Sequence, residues 1–251
     1  MAELAAVVSY LDDYLNVASV PDYAGAVNGL QVANAGVVTR VGAAVDASER
    51  TVQAAVERGC DLLLVHHGLL WDGNQPVTGR RYRKLAPLLA AGVALYSSHL
   101  PLDVHGEVGN SAVLARELGI ELEGRFGAYK DMELGWWGRL ELRREALAAR
   151  LDEVLGGRVK MMPFGPEVIR TVGVITGGGG SMIASAKAAG LDAFVTGEGA
   201  HHTYFDAEEH GINVFYGGHY ATETWGVRAA ATHVAERFGV EWEFIDHPTG
   251  L

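Results

Sequence analysis

The feature that most limits what this chain can fold into is an internal repeat whose copies both end in side chains able to bind metal. Val41-Gly42 is matched by Val172-Gly173. Asp61-Leu62-Leu63-Leu64-Val65-His66-His67-Gly68 is matched by Asp192-Ala193-Phe194-Val195-Thr196-Gly197-Glu198-Gly199, at the same offset of about 131 residues. Further on, Gly92-Val93-Ala94-Leu95-Tyr96 corresponds to Gly211-Ile212-Asn213-Val214-Phe215. These runs lead into His99-x-x-x-Asp103 and His219-x-x-x-Glu223. Similar α/β units can share a strand pattern by chance; sharing both His–carboxylate pairs by chance is far harder. A duplicated unit is therefore the starting assumption.

The local patterns fill in that plan. Met1 to Asn16 carries Leu4, Val7, Val8, Leu11 and Leu15 on one helical stripe. Val41 to Val45 reads as a strand, and Ser48 with Thr51 three residues later as the start of a helix that runs to Arg58 and stops at Gly59. Leu62 to Val65 is a buried strand with His66-His67 at its carboxyl end. A helix over Arg81 to Ala91 and a strand over Val93 to Ser97 follow. Short apolar strands alternating with helices predict βαβ units. The expectation is an α/β fold of two pseudo-repeated halves with mainly parallel sheets and a metal site between them at strand C-terminal ends. Residues 1–120 form the first half. Residues 121–251 hold a connecting elaboration, with a helix over Arg144 to Leu155 and a strand near Val159 to Met162, and then the second half.

Composition narrows the function. Apolar residues make up 49% of 251 residues, enough for a sizeable core, and no run is long enough to span a membrane. The formal charge of −11 argues against non-specific nucleic-acid binding, which needs a basic surface. It leaves room for a small anionic substrate, because a bound metal inverts the local potential. The single cysteine, Cys60, lies in an apolar context and reads as a small core residue; one cysteine allows no internal disulfide and fits a reducing cytoplasm. Met1 to Tyr10 lacks the basic cluster of a secretory signal.

The carboxyl edge of a sheet gathers distant segments around one crevice. Four strand ends offer His66/His67, His99/Asp103, Gly197-Glu198 and His219/Glu223. Imidazole and carboxylate suit zinc, iron or manganese, and no thiolate is present to select a softer ion. Adjacent histidines on an extended backbone project in different directions, which serves two ions more naturally than one. A carboxylate can bridge such a pair, the usual hydrolytic arrangement. His99 is open between ligand, orienting group and proton carrier. Glu198 is open between acid–base group and polar strand end. His201-His202 read as rim residues, and His105, His210, His233 and His247 as surface or packing residues. Thr176-Gly177-Gly178-Gly179-Gly180-Ser181 is either a tight strand-to-helix turn or an anion-binding loop, and lacks the lysine of a Walker loop. For Trp71, Trp136, Trp137 and Trp225, core packing is favoured over ligand stacking for most.

In order along the chain, Asn28-Gly29-Leu30-Gln31-Val32, Val65-His66-His67-Gly68, His99-Leu100-Pro101-Leu102-Asp103 with Gly109-Asn110, Asp192 to Glu198, and Gly218-His219-Tyr220-Ala221-Thr222-Glu223 resemble the Nif-three-like dinuclear-metal family. Members of that family often carry the name GTP cyclohydrolase I type 2. The resemblance covers nearly the whole chain and matches the short bacterial form without an inserted domain. Gly68 departs from it, since many members have proline there. The resemblance implies two divalent ions per subunit, one held by His66, Asp103 and Glu223, the other by His67, His219 and Glu223, with Glu223 bridging. It also implies a toroidal homohexamer with sites facing an internal cavity. The implied activity is hydrolytic opening of guanine at C8 with loss of formate. In that reaction His99 and Glu198 are the candidate proton-transfer groups. The motifs themselves specify hydrolytic metal chemistry but no guanine pocket. A phosphoesterase or amidohydrolase is the alternative within enzymes, and a non-enzymatic metal-binding or scaffold ring the alternative outside them.

Overall fold

A run of residues that is apolar without alternation belongs in a strand covered on both faces, and the first sheet is built around two such runs. The computed structural model describes residues 1–251. Its first compact unit comprises Met1–Leu102 and Gly226–His247. The elements here are β1 (Ala2–Glu3), α1 (Leu4–Tyr14), β2 (Gly29–Val32), β3 (Val37–Val38), β4 (Arg40–Asp46), α2 (Glu49–Glu57), β5 (Leu62–His67), α3 (Gly79–Ala91), β6 (Ala94–Ser97) and α4 (Leu100–Asp103), whose last residue falls in the other unit. Five strands form one sheet in the order β13-β4-β5-β6-β2, where β13 is Glu241–Phe244. All neighbours are parallel except β2 against β6. Leu62, Leu63, Leu64 and Val65 of β5 are at most 1% exposed. Burial of each such leucine contributes about 1.5–3 kcal/mol.

Local signals explain the helix starts. The Ser48 side chain accepts from Thr51 N–H while the Thr51 hydroxyl accepts from Ser48 N–H, closing a capping box at α2. Leu4, Val7, Leu11 and Leu15 are buried along the stripe expected of α1. Cys60 is buried, and desolvation pushes its thiol up to about 11, which suits the inert core residue read from the sequence.

The second compact unit comprises Asp103–Trp225 and Pro248–Leu251. It contains α5 (Asn110–Glu117), β7 (Glu121–Tyr129), β8 (Met132–Arg143), α6 (Arg144–Leu155), β9 (Lys160–Pro163), β10 (Val168–Val174), α7 (Ile183–Ala188), β11 (Ala193–Thr196), α8 (Thr203–His210) and β12 (Asn213–Tyr216). Helix α9 (His219–Phe238) starts here and crosses the division between units. The sheet order is β7-β8-β10-β11-β12-β9. Its centre, β10-β11-β12, is parallel, and the flanking strands β8, β7 and β9 are antiparallel. The repeat is visible in the register: Val41 pairs with Leu62 and Leu62 with Ala94, as Val172 pairs with Ala193 and Ala193 with Asn213.

Two things differ from the sequence reading. The segment expected to be a small α/β elaboration supplies α6 and β9 as anticipated but also the long β7-β8 hairpin, whose register breaks between Leu122 and Gly124. That bulge and the glycines along β8 blur the two-residue alternation that marks a half-buried strand. The compact units also do not follow the expected halves 1–120 and 121–251. Leu114, Ala115 and Leu118 of the α5 region join Val172 and Val174 in one core, and β13 pairs with β4 in the other sheet.

Candidate metal centre

In the first unit, parallel pairing sets Asp46 at the end of β4 opposite His67 at the end of β5. His66 and His67 are consecutive at the end of β5, and instead of projecting in different directions, as an extended backbone predicts, their rings converge with centroids 4.6 Å apart; His66 is fully buried while His67 is partly exposed. His99 follows β6. One ring nitrogen from each of His66, His67 and His99 lies within 4.8 Å of the others, a group that could hold a metal ion. Each ring is oriented from behind. His66 Nδ1 donates to the Ser98 carbonyl at 2.9 Å, His67 Nδ1 to Asp46 Oδ1 at 2.9 Å, and His99 Nδ1 to Asp22 Oδ1 at 2.8 Å. A carbonyl or carboxylate can only accept there, so the proton sits on Nδ1 and the lone pair on Nε2. This is how metal-ligating imidazoles are usually held.

Asp22 is the centre of a small network. It accepts from His99, Asn28 Nδ2, Tyr23 N–H and Leu100 N–H, while Asn28 Oδ1 accepts from His99 N–H. Burial pushes the Asp22 carboxyl up, but the hydrogen bond and charge of His99, aided by Asn28 and Tyr23, outweigh it and hold the group below its ordinary value. Gln31 has a parallel role. It accepts from Leu69 N–H and donates to the Val27 carbonyl, bracing the turn after His67. A Cβ on Gly68 would lie 2.3 Å from Gln31 Nε2, so glycine leaves the room that brace needs. Trp71 stands edge-on to His99 with ring centroids 4.9 Å apart, beside the histidines rather than in the core.

In the second unit, His219 and Glu223 occupy successive turns at the start of α9, with Nε2 to Oε2 at 3.2 Å. His219 Nδ1 donates to Glu198 Oε1 at 2.7 Å. Glu223 is only 3% exposed. An oxygen of Asp103 lies within 4.8 Å of one of Glu223. Asp103 Oδ1 accepts from Asn110 Nδ2 at 2.8 Å and from the Thr176 hydroxyl at 3.4 Å. The hydrogen bond to Glu223, opposed by burial and reinforced by Glu198, pushes His219 up to about 9. That reflects two carboxylates facing one imidazole; a divalent cation held by His219 and Glu223 would supply positive charge in place of that proton.

The glycine loop after β10 proves to be a tight turn. Gly177 N–H donates to Thr222 Oγ1, Gly179 N–H to Thr196 Oγ1 and Gly180 N–H to the Glu198 carbonyl, so these donors are engaged inside the fold. The Gly177 carbonyl accepts from Gly197 N–H and Glu198 N–H. The φ of Gly177 is +65°, and a Cβ there would lie 2.0 Å from Glu223 Oε1. The loop thus lets the backbone approach the buried carboxylate. His201 and His202 are exposed on the turn before α8, as a rim reading expects. Trp137 and Trp225 pack against core clusters, and Arg125 stacks over Trp136 at 4.4 Å.

Sequence reasoning missed Asp22 and Asp46, and it named Asn110 and Thr176 within motifs without seeing that both hold Asp103. Asp46 had a signal, an acid ending the strand beside His67; Asp22 had none, because only the tertiary fold brings a residue 77 positions away to His99.

Fold and donor chemistry together define a two-unit α/β protein with His/Asp/Glu groups able to hold metal, and no helix is long and apolar enough to cross a membrane. The chain belongs to the Duf34/NIF3 (NGG1p interacting factor 3) family, which matches residues 2–250. A relative from Deinococcus radiodurans named "GTP cyclohydrolase 1 type 2 homolog" is 41% identical over 97% of this chain and 93% of its own length. Among solved structures, protein ybgI, described as of unknown function, superposes with a TM-score of 0.92 at 37% identity, and TTHA1606 from Thermus thermophilus with 0.90 at 40%, each covering 100% of both chains.

Proposed function

We propose that this chain is a dinuclear metal-dependent hydrolase of the GTP cyclohydrolase I type 2 kind, with His66, His67, Asp103, His219 and Glu223 holding two divalent ions of the zinc, iron or manganese type. The observation that carries the reading is the shared orientation of the histidines: His66, His67 and His219 each anchor Nδ1 on an oxygen, leaving Nε2 as the donor. The donor set of imidazole and carboxylate fits such ions, and a buried carboxylate such as Glu223 needs positive charge beside it. When bound, a metal pair polarises the substrate and makes water nucleophilic near neutral pH.

The chain's own residues divide the remaining work. Asp46 and Glu198 orient His67 and His219, and Asn110 and Thr176 orient Asp103. His99 carries protons at Nε2, with Asp22 fixing its tautomer. The names of the relatives support GTP as the substrate, and the family resemblance supports opening of its guanine with release of formate. The family resemblance also supports a symmetric homo-oligomer, a hexamer, with sedimentation as its check.

Metal analysis of the purified protein, followed by incubation of the loaded protein with GTP, tests the reading. Formate release with pterin fluorescence is the expected result. Phosphate release without formate makes it a phosphoesterase. Two bound metals with no turnover of any nucleotide moves it to a binding role.

A further inference from the structure

The loop after Trp71 and the start of α3 border an open cleft of ≈ 290 Å³ whose charged lining is Asp72, Arg80, Arg81 and Lys84, with Thr78 and Gln75 beside them. Three cations around one cleft need explanation in a chain whose net charge is −11. The neighbouring acids do not neutralise them all, because each has its own partner. Asp72 pairs with Arg81 at 3.3 Å, Glu49 with Arg83 at 2.9 Å, and Asp46 holds His67. Arg81 is further tied to the Gly73 and Gln75 carbonyls. Arg80 and Lys84 remain, one helical turn apart on α3, with like charges side by side and no ion pair. Such a pair destabilises a helix unless something negative sits between its members. Burial and then the Arg80 charge hold the Lys84 ammonium below its ordinary value, with Glu49, Asp46 and Asp72 acting in the opposite sense.

We propose that Arg80 and Lys84 form an anion subsite for a phosphate group, in the cleft that follows the His67 strand end. Two cations without acids of their own match a phosphate dianion, and an arginine fork with a lysine point charge is a common way to bind one. Thr78, lining the same cleft, adds a hydroxyl donor. The cleft adjoins the histidine group through its own chain: Leu69, also on its lining, lies two residues beyond His67, and Trp71 packs on His99. On this proposal the subsite holds the phosphate of a substrate whose reacting part is handled at the histidines. This rests on the proposed hydrolase only for the identity of the substrate; the anion subsite itself is independent of metal.

The test uses metal-stripped protein, so that no phosphate binds through a metal ion. Inorganic phosphate is titrated into wild type, Arg80→Gln, Lys84→Gln and the double variant by calorimetry at low salt. Each single change is expected to weaken binding about tenfold, and the double variant to abolish it. Metal content after reconstitution should stay at the wild-type level in all of them, which keeps this result separable from failure of the metal reading. GTP binding more tightly than guanosine, with the gap closing in the double variant, identifies the phosphate as the substrate's own. Phosphate binding with no such gap identifies a free-anion site. Phosphate binding of equal strength in wild type and double variant, or none in the wild type, overturns the proposal.

Discussion

Replacing Gly177 with alanine probes the closest approach at the candidate centre. The new Cβ would lie 2.0 Å from Glu223 Oε1, 3.0 Å from its Cδ and 3.2 Å from His219 Nε2, where ordinary contact begins at 3.4 Å. The carboxylate would have to retreat by more than an ångström, and at 3% exposure it has no solvent to move into. Two costs add. A left-handed φ of +65° disfavours alanine by about 1 kcal/mol. Displacing a buried carboxylate from its His219 partner costs roughly another 1–3 kcal/mol, below the 3–5 kcal/mol for breaking such a pair outright. For a chain of this size a total of about 2–4 kcal/mol lowers Tm by roughly 5–15 °C. Calorimetry on stripped and reconstituted protein, with metal content by mass spectrometry, reads both effects. Gly178→Ala is the control, since a Cβ there meets only His219 Cε1 at 3.9 Å. Equal Tm and equal metal content in the two variants would refute the argument that Gly177 exists to admit Glu223.

The other predictions are simpler. Glu223→Ala should lose more metal than His66→Ala or His67→Ala, because a bridging ligand serves both ions; unchanged stoichiometry argues against bridging. Asp46→Asn should weaken metal binding by about 10–100-fold without removing a ligand, as loss of an orienting carboxylate does; a titration showing wild-type affinity removes Asp46 from the site. In stripped protein His219, raised from 6.5 to about 9, contributes stability that is complete below pH 6.5 and lost as pH rises through about 9. The contribution is at most about 3 kcal/mol and smaller after solvent screening of a ring about one-third exposed. Denaturant midpoints that do not fall between those pH values, or that fall equally in His219→Gln, contradict it. Leu63→Ala, in the fully buried centre of β5, should cost about 2–5 kcal/mol, measured by urea unfolding.

Much of the fold was written in local patterns. The apolar runs at 41–45 and 62–65, the Ser48–Thr51 cap and the α1 stripe each act over a few residues, so the sequence alone determined those elements. The repeat determined more, because equal spacing of Val41/Val172 and Asp61/Asp192 translates directly into equal strand register. It also singled out the strand-end histidines and carboxylates. What the sequence could not decide is anything that depends on which distant groups meet. The β7-β8 hairpin hides behind a bulge that breaks alternation, and the reach of β13 to β4 follows from where α9 ends. Asp22 reaches His99, Glu198 turns out to hold His219, and Gly177 turns out to make room for Glu223 rather than for an anion. Those are consequences of close packing in three dimensions: a side chain's partner is set by the space left to it, and that space exists only once the sheets have formed.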